Sequence, residues 1–319
     1  MILVCGEAVL DLQRRPGREP EAGAACFVAH PGGSPANTAV ALARLGAPVG
    51  MCARLSASAL GGLLRSHLES SGVDLRHCVE VPDPASLAFV DLDPSGAASY
   101  SFYVEGAADW GWRPGELPTD LPPDVTVLHT GSIASMRAPG RDAILEWLRH
   151  ERRGRAVSFD PNVRPALVGT REDALRSVES SVGTADLVKA SDEDVAWLYP
   201  GVGVQDVVDR WLDLGTSAVV VTAGSAGSEA FVRGARVARA ARRVEVVDTV
   251  GAGDSFAAGL LRFLTREGLV GELRAGSLGS DALAASLDYA GAVAALTCTR
   301  AGADPPREDE VEHLLGSPA

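Results

Sequence analysis

The sequence predicts an α/β fold in which helices cover both faces of a mostly parallel β-sheet. Short apolar runs rich in β-branched residues alternate with amphipathic helical patterns, as parallel strands and their crossover helices require. The 319 residues are 46% hydrophobic, which is enough to fill one large core or two smaller ones. No internal repeat interrupts the pattern. We therefore expect helices, sheet and helices to form three layers.

Six apolar runs are the candidate strands of this sheet, and helical patterns lie between them. Pro35–Leu45 is predicted to be a helix, because Ser34 suits the capping position, Pro35 the first helical position and Gly46 the end. A further helix is predicted at Asp142–Arg152. The predicted strands are Ile2–Cys5, Val49–Ala53, Val125–His129, Ala156–Asp160, Leu187–Lys189 and Ala218–Thr222.

Two early segments depart from the parallel rhythm. Leu87–Leu92 and Ser99–Val104 alternate in polarity on either side of the turn sequence Asp93–Gly96, which predicts a β-hairpin. Together with Cys26–Ala29, the hairpin can form a small sheet that covers a substrate cleft as a lid. An ordinary edge hairpin of the main sheet is the alternative.

Charge and composition exclude several classes of protein. The chain has 29 Lys and Arg against 42 Asp and Glu, and its net charge of -13 disfavours nucleic acid and anionic membranes. No run approaches the length of a membrane span, and the N-terminus lacks the pattern of a signal peptide. The five cysteines are scattered, which favours neither a disulfide framework nor a zinc site. We expect a cytoplasmic protein.

A glycine-rich turn leads into the predicted amphipathic helix Ser255–Leu264. Gly251, Ala252 and Gly253 carry almost no side chain, so their amides can approach an anion closely. The positive end of the following helix points at the same place, which makes this turn a candidate phosphate cradle.

Asp254 follows the cradle directly. A carboxylate there can accept a proton from a hydroxyl that attacks a phosphate, or it can simply cap the helix, and spacing alone favours neither role. The dinucleotide fingerprint fails because Phe256 occupies its last glycine position. A P-loop sequence is absent from the chain.

The run Asp248-Thr-Val-Gly-Ala-Gly-Asp-Ser-Phe256 resembles the C-terminal signature of the ribokinase-like (PfkB) carbohydrate kinases. Pro31-Gly-Gly-Ser-Pro-Ala-Asn-Thr-Ala39 is similar to their N-terminal signature, about 220 residues earlier. The resemblance covers essentially the whole chain. It implies one ribokinase-like kinase domain over residues 1–319, with lid segments at about 12–30 and 86–108.

The resemblance also implies a sugar site between the body and the lid. Its residues would be Asp11, Gly32, Gly33 and Asn37, joined by Phe102 and Tyr103 of the lid and by Arg164 of the body. Many relatives have Arg where this chain has Val104, a substitution that favours a neutral sugar over a sugar acid.

The same resemblance places the nucleotide in the second half of the chain. Small residues of a late helix, Leu283–Thr299, would line the adenine pocket, among them Ala290 and Ala294, or the helix would serve only as part of the core. The ATP phosphates and ribose would meet Lys189, Thr222, Gly224, Gly227, Gly251 and Gly253.

Magnesium would be organised by Asp194 or Glu193, because Ser191-Asp-Glu-Asp194 stands where relatives have Asn-x-x-Glu or Ser-x-x-Glu. Asp160 and Asn162 would shape their loop or order waters around Mg²⁺. A monovalent cation such as K⁺ is a further option, near Asp248 and Val250.

The resemblance implies an ATP-dependent sugar kinase whose base is Asp254 and whose best substrate is D-fructose. The alternatives are another acceptor, namely 2-keto-3-deoxygluconate, ribose or a nucleoside, or a sugar sensor that has lost catalysis. The retained Asp254, Gly251 and Gly253 argue against a sensor. A homodimer formed through the lid is a further expectation.

Overall fold

The central sheet contains eight strands, and helices cover both of its faces. The structure is a computed structural model that describes residues 1–14, 24–92, 98–113 and 115–316. The strands of the main sheet are β1 (Ile2–Cys5), β4 (Val49–Cys52), β9 (Val127–Gly131), β10 (Ala156–Asp160), β11 (Leu187–Ser191), β12 (Ala218–Thr222), β13 (Ser228–Val232) and β14 (Ala235–Arg239). Their order is β14-β13-β12-β11-β10-β9-β1-β4. The strands from β12 to β4 pair in parallel, and β13 and β14 extend the sheet antiparallel.

Two hydrophobic cores lie on opposite faces of this sheet. Ile2 and Val4 pack in one core, and Leu3 and Cys5, which alternate with them along β1, pack in the other. The helices are α1 (Ser34–Arg44), α2 (Ala59–Ser70), α3 (Gly140–Glu151), α4 (Arg171–Val182), α5 (Asp192–Leu198), α6 (Val204–Asp213), α7 (Ala252–Arg266), α8 (Val270–Ala275), α9 (Ser280–Cys298) and α10 (Glu308–Gly316). Helices α1, α7 and α9 contribute to the first core and α3, α4 and α6 to the second. The predicted three-layer α/β/α arrangement is confirmed.

A second sheet of four strands stands apart from the main sheet. Its strands are β2 (Val9–Arg14), β3 (Phe27–Gly32), β7 (Leu87–Leu92) and β8 (Ala98–Tyr103), in the order β3-β2-β7-β8. The predicted hairpin therefore belongs to a separate sheet, and the edge-hairpin alternative is wrong. The predicted turn Asp93–Gly96 lies outside the described residues. A two-stranded sheet of β5 (Arg54–Ser56) and β6 (Val79–Val81) lies nearby.

The six predicted strands all occur in the main sheet. β1, β10 and β12 have the predicted bounds, and β4, β9 and β11 differ from them by one or two residues at their ends. One prediction about α1 is wrong. Gly33, with φ +97°, is the capping residue of α1, and the Ser34 side chain makes no capping hydrogen bond. The hydroxyl of Ser34 points instead toward the start of α7, as described below.

Within the described ranges, no helix combines the length and apolar character needed to cross a membrane.

Candidate active site

Asp254 lies in the first turn of α7 and is buried. The residue that caps α7 is Gly251, whose φ of +75° belongs to the left-handed region. A side chain at Gly251 would place its Cβ 2.7 Å from the Cβ of Ala303, so the turn requires glycine. The alternative in which Asp254 is the capping residue of α7 is therefore wrong.

Three hydrogen-bond donors from other parts of the chain surround the Asp254 carboxylate. The Ser34 Oγ donates to Oδ1 at 2.6 Å, and the Asn37 Nδ2 donates to Oδ2 at 2.8 Å. The Asn162 Nδ2 lies 3.4 Å from Oδ1. These donors fix the direction of both carboxylate oxygens. The structure thus joins the two signature segments through their side chains, and Asn37 lies beside the expected base.

Gly32 and Gly33, just before α1, allow the Asp11 side chain and the Glu7 backbone to pack closely against this segment. A Cβ at Gly32 would lie 2.7 Å from the Asp11 Oδ2, and a Cβ at Gly33 would lie 2.9 Å from the Glu7 carbonyl oxygen. Burial raises the pKa of Asp11 to about 6, and the charge of Arg164 opposes that rise. Asp11 of the lid sheet and Arg164 of the body are therefore near enough for their charges to interact.

Arg164 is linked to Asp254 through Asn162. The Arg164 Nη1 donates to the Asn162 Oδ1 at 2.5 Å, while the Asn162 amide points toward Asp254. Asn162 has a φ of +38°, which is rare outside glycine. This strained position turns the Asn162 side chain between the cation and the carboxylate.

Lys189 and Asp160 form a buried ion pair below the cradle. The Lys189 Nζ lies 2.9 Å from the Asp160 Oδ2. Burial raises the pKa of Asp160 to about 6 against the pull of Lys189. Burial alone would lower the pKa of Lys189, but the carboxylates of Asp160, Asp194 and Asp254 raise it. A Cβ at Gly253 would lie 3.1 Å from the Lys189 Nζ, so the ammonium is adjacent to the cradle.

The two aromatic lid residues point to opposite faces of the lid sheet. Strand pairing aligns Asp11 with Ala88 and Ala88 with Phe102, so Phe102 shares the face of Asp11. Tyr103 is on the other face, where it contacts Phe89 and is 63% exposed. Because successive strand residues alternate between faces, Phe102 and Tyr103 do not share one surface, and a sugar contact for either residue stays a prediction.

The two candidate magnesium carboxylates have different surroundings. The Asp194 Oδ1 accepts from the Val163 amide at 2.7 Å, and its Oδ2 accepts from the amide and hydroxyl of Ser191. With Ser191 it forms the capping box of α5. Glu193 is exposed. A magnesium role for either residue stays a prediction.

Three of the predicted nucleotide residues, Thr222, Gly224 and Gly227, lie at the carboxyl end of β12 and in the turn that follows. The Thr222 Oγ1 lies 3.4 Å from the Ala190 carbonyl oxygen. Gly224 is exposed and its Cβ position is open. Gly227 has a φ of +109°, and a Cβ there would lie 2.1 Å from the Arg239 carbonyl oxygen, so Gly227 lets the β13–β14 hairpin pack closely.

For Ala290 on α9, the structure favours the core role over the adenine wall. Ala290 is fully buried, and a Cβ at Gly259 of α7 would lie 2.7 Å from its Cα, so Ala290 serves the packing of the two helices. Sequence reasoning missed two exposed apolar residues before the cradle, Val246 at 60% and Val247 at 61% exposure. Val246 and Val247 immediately precede Asp248, where the C-terminal signature begins, and this proximity could have marked them as candidates.

A ribokinase-like kinase is the class that this fold and site define: parallel strand ends, a β lid and a buried carboxylate at a glycine-rich helix start. The family model for pfkB family carbohydrate kinases matches residues 1–310. The chain belongs to this family and is an ATP-dependent sugar kinase.

Curated relatives and solved structures agree with this assignment. A fructokinase of Rhizobium leguminosarum bv. trifolii is 34% identical over 315 residues, which cover 99% of this chain and 90% of that protein. A fructokinase of Klebsiella pneumoniae is 35% identical over 326 residues, covering 98% and 99%. The structure of Xylella fastidiosa fructokinase with bound ATP matches with a TM-score of 0.89 and 29% identity, covering 98% and 97%.

Proposed function

We propose that the chain is a fructokinase that transfers the γ-phosphate of ATP to a hydroxyl of D-fructose. The observation that carries the proposal is the Asp254 carboxylate, buried at the start of α7 and oriented by Ser34 and Asn37. The curated relatives named above are fructokinases. A fructokinase structure from Vibrio cholerae O395 bound to fructose, ADP and calcium matches with a TM-score of 0.84 and 27% identity, covering 98% of both chains.

In the proposed reaction, Asp254 accepts the proton of the attacking hydroxyl as the new O–P bond forms and the bond to ADP breaks. The amides of Gly251, Ala252 and Gly253, with the positive end of α7, stabilise the charge on the transferred phosphoryl group. The adjacent Lys189 ammonium adds a fixed positive charge on the same side.

We call the lid face that carries Asp11 and Phe102 the inner face. The sugar would lie between this face and Arg164 of the body. Asp11, Gly32, Gly33 and Asn37 would provide its hydrogen-bonding surface. The apolar side chain of Val104, which is 4% exposed, adds no cation for a carboxylate substrate. A neutral sugar is therefore the preferred acceptor.

A nucleoside-like acceptor is the second candidate. The structure of an aminoimidazole riboside kinase from Salmonella enterica, complexed with aminoimidazole riboside and an ATP analog, matches with a TM-score of 0.81 and 27% identity. Its TM-score is lower than those of the fructokinase structures, 0.89 and 0.84, so D-fructose is the first substrate to test.

Nucleotide and cations would be held around the cradle. Thr222, Gly224 and Gly227 would approach the phosphates and ribose, and Val246 and Val247 would give adenine an apolar surface. The Asp160 Oδ1 is buried and has no hydrogen-bond partner, which suits a water of hydrated Mg²⁺. No cluster of three or more metal-binding side chains occurs in the part of the chain that the structure describes. Asp194 or Glu193 would organise Mg²⁺ together with the phosphates of ATP.

A monovalent cation would lie near Asp248, whose carboxylate accepts from the amides of Val250 and Gly302. These bonds join the loop before the cradle to the segment after α9. A bound cation would stabilise the same junction.

We also propose a homodimer through the outer face of the lid sheet. Phe27, Phe89 and Tyr103 form a line of edge-to-face contacts there, with ring centroids 5.4 and 5.2 Å apart. Phe27 is 43% and Tyr103 63% exposed. A second copy would cover this apolar face. Light scattering of the protein and of Phe27→Asp tests the dimer: a dimeric parent and a monomeric variant support it, and a monomeric parent contradicts it.

Coupling ADP release to a panel of sugars and nucleosides tests the proposed function. We expect D-fructose to give the highest kcat/KM. Turnover only with a nucleoside would favour the second candidate, and no turnover with any acceptor would contradict both.

A further inference from the structure

One buried carboxylate joins the strands of the lid at the place where they leave the body. Asp109 is 2% exposed and lies shortly after β8. Its Oδ1 accepts from the Ala8 amide at 3.0 Å, and its Oδ2 accepts from the Ser86 hydroxyl. Ala8 immediately precedes β2, and Ser86 immediately precedes β7. Asp109 therefore ties together the chain segments that adjoin three of the four lid strands.

Backbone bonds place the same segments side by side. The Leu10 amide donates to the Ser86 carbonyl at 3.0 Å, and the Ala108 amide donates to the Pro84 carbonyl at 2.9 Å. We call these three segments, residues 8–10, 84–86 and 108–109, the lid base. Backbone hydrogen bonds fix their relative positions, and Asp109 adds the side-chain link between them.

A buried guanidinium supports this base from the body side. Arg54 of β5 is 1% exposed, and its Nη1 donates to the Ala108 carbonyl at 2.7 Å. Its guanidinium nitrogens also lie 3.0 Å from Glu116 and 3.3 Å from Asp83. The peptide next to Asp109 is therefore held by an element outside the lid.

We propose that Asp109 is a positioning residue that holds the lid at the angle at which its inner face meets the sugar. The inference rests on the proposed function, because it requires a sugar beneath the lid. Asp11 is three positions after Ala8, and Phe102 shares its face. Because paired strands move together, a shift at the base displaces both residues relative to the body.

The lid would also keep water away from ATP. When the lid is displaced, water can attack the γ-phosphate in place of the sugar hydroxyl. An O–P bond to water then forms, the bond to ADP breaks, and the water proton passes to Asp254 or to solvent. The products are ADP and inorganic phosphate, so ADP release exceeds sugar phosphorylation.

The test measures KM for the sugar, KM for ATP and the ratio of ADP to sugar phosphate in Asp109→Ala. Loss of the Asp109 carboxylate leaves the Ala8 amide and the Ser86 hydroxyl without their acceptor and loosens the lid strands at that point, so we expect the sugar KM to rise about tenfold. The ATP KM should stay near its parent value, and the ADP ratio should exceed unity. Asp109→Asn should restore both readouts, because its oxygen can accept from Ala8 while its amide donates to Ser86.

Asp186→Ala is the matched control. Asp186 is also a buried carboxylate that accepts a backbone amide, from Val157 at 2.8 Å, but it lies at the opposite end of the parallel strands. The Asp186→Ala variant should therefore keep the ratio of ADP to sugar phosphate at unity. The inference would be overturned if the sugar KM and the ADP ratio rose equally in Asp109→Ala and Asp186→Ala. It would also be overturned if both values in Asp109→Ala equalled those of the parent protein.

Ser86→Ala provides a milder variant if Asp109→Ala does not fold. It removes one of the two tethers, and we expect a smaller rise in sugar KM with some uncoupled ATP hydrolysis. Parent-like values in Ser86→Ala would then overturn the inference. A parent protein that phosphorylates no acceptor would instead contradict the proposed function, so the two failures are distinguishable.

Discussion

Ser34 and Asp254 are 220 positions apart in the chain, yet the Ser34 hydroxyl donates a 2.6 Å hydrogen bond to the Asp254 carboxylate. Asn37, one turn further along α1, donates to the other carboxylate oxygen. Helix α1 therefore presents two donors on one face to the first turn of α7. The two signature segments form one site because their helices pack against each other.

Ser34→Ala should reduce kcat about tenfold without changing the KM for ATP. A hydrogen bond to a charged group contributes about 1.5 to 3 kcal/mol, and its loss leaves Asp254 less well oriented. Steady-state kinetics with the preferred sugar measures the effect. Ser280→Ala is the control, because Ser280 also begins a helix but is exposed. Equal kcat values in the parent and Ser34→Ala would show that this bond does not orient the base.

Lys189→Met should lower the free energy of unfolding by about 3 kcal/mol, because it leaves the Asp160 charge buried without its partner. The double variant Lys189→Met/Asp160→Asn should recover part of this loss. Denaturant unfolding measures both changes. Arg236→Met breaks the exposed pair with Glu229 and should cost less than about 1 kcal/mol. A similarly small loss in Lys189→Met would contradict a stabilising role for the buried pair.

Glu7→Gln should make stability less sensitive to pH. Burial raises the pKa of Glu7 from 4.5 to about 7, while hydrogen bonds from Ser132 and Ala134 oppose the rise. The folded protein therefore holds this proton more tightly than the unfolded chain. The resulting stabilisation is complete below pH 4.5 and is lost as the pH rises through about 7.

Denaturant unfolding at about pH 5 and about pH 8 measures this effect. The fall in stability between the two pH values should be up to about 3 kcal/mol smaller in Glu7→Gln than in the parent protein. Glu69→Gln, a change at an exposed carboxylate, should behave like the parent. An identical fall in Glu7→Gln and the parent would show that Glu7 does not carry this dependence.

Much of the fold could be predicted because its strands and helices have distinct local patterns. The apolar runs of the parallel strands are continuous, so β1 and β10 occur with the bounds expected. The hairpin of β13 and β14 was not predicted. β13 and β14 are short, and β14 contains two arginines, so the pattern does not stand out as a strand pair. Ala235 and Val237 pack against the core only in the folded protein, where α9 contacts the hairpin.

The part of the site around Gly251 and Asp254 could be predicted, because a glycine-rich turn, a carboxylate and a helix follow one another directly in the sequence. Ser34 was misassigned, because a serine before a proline resembles a helix cap and its true partner is 220 residues away. Phe102 and Tyr103 were predicted together, but neighbouring residues of a strand point to opposite faces, and which face each occupies follows only from the strand pairing. Asp109 carries no sequence signal of its role, since its two partners, Ala8 and Ser86, are distant from it and from each other in the chain.

The central claim is that Asp254 activates the sugar hydroxyl. Asp254→Asn keeps the size of the side chain but removes its ability to take the proton, so kcat should fall by about a hundredfold or more. ATP affinity, measured by calorimetry, should remain similar, and Asp281→Asn in the first turn of α9 should be fully active. The most direct measurement is single-turnover transfer of labelled γ-phosphate from ATP to D-fructose. We predict rapid transfer by the parent protein and almost none by Asp254→Asn, whereas parent-like transfer by Asp254→Asn would contradict the account.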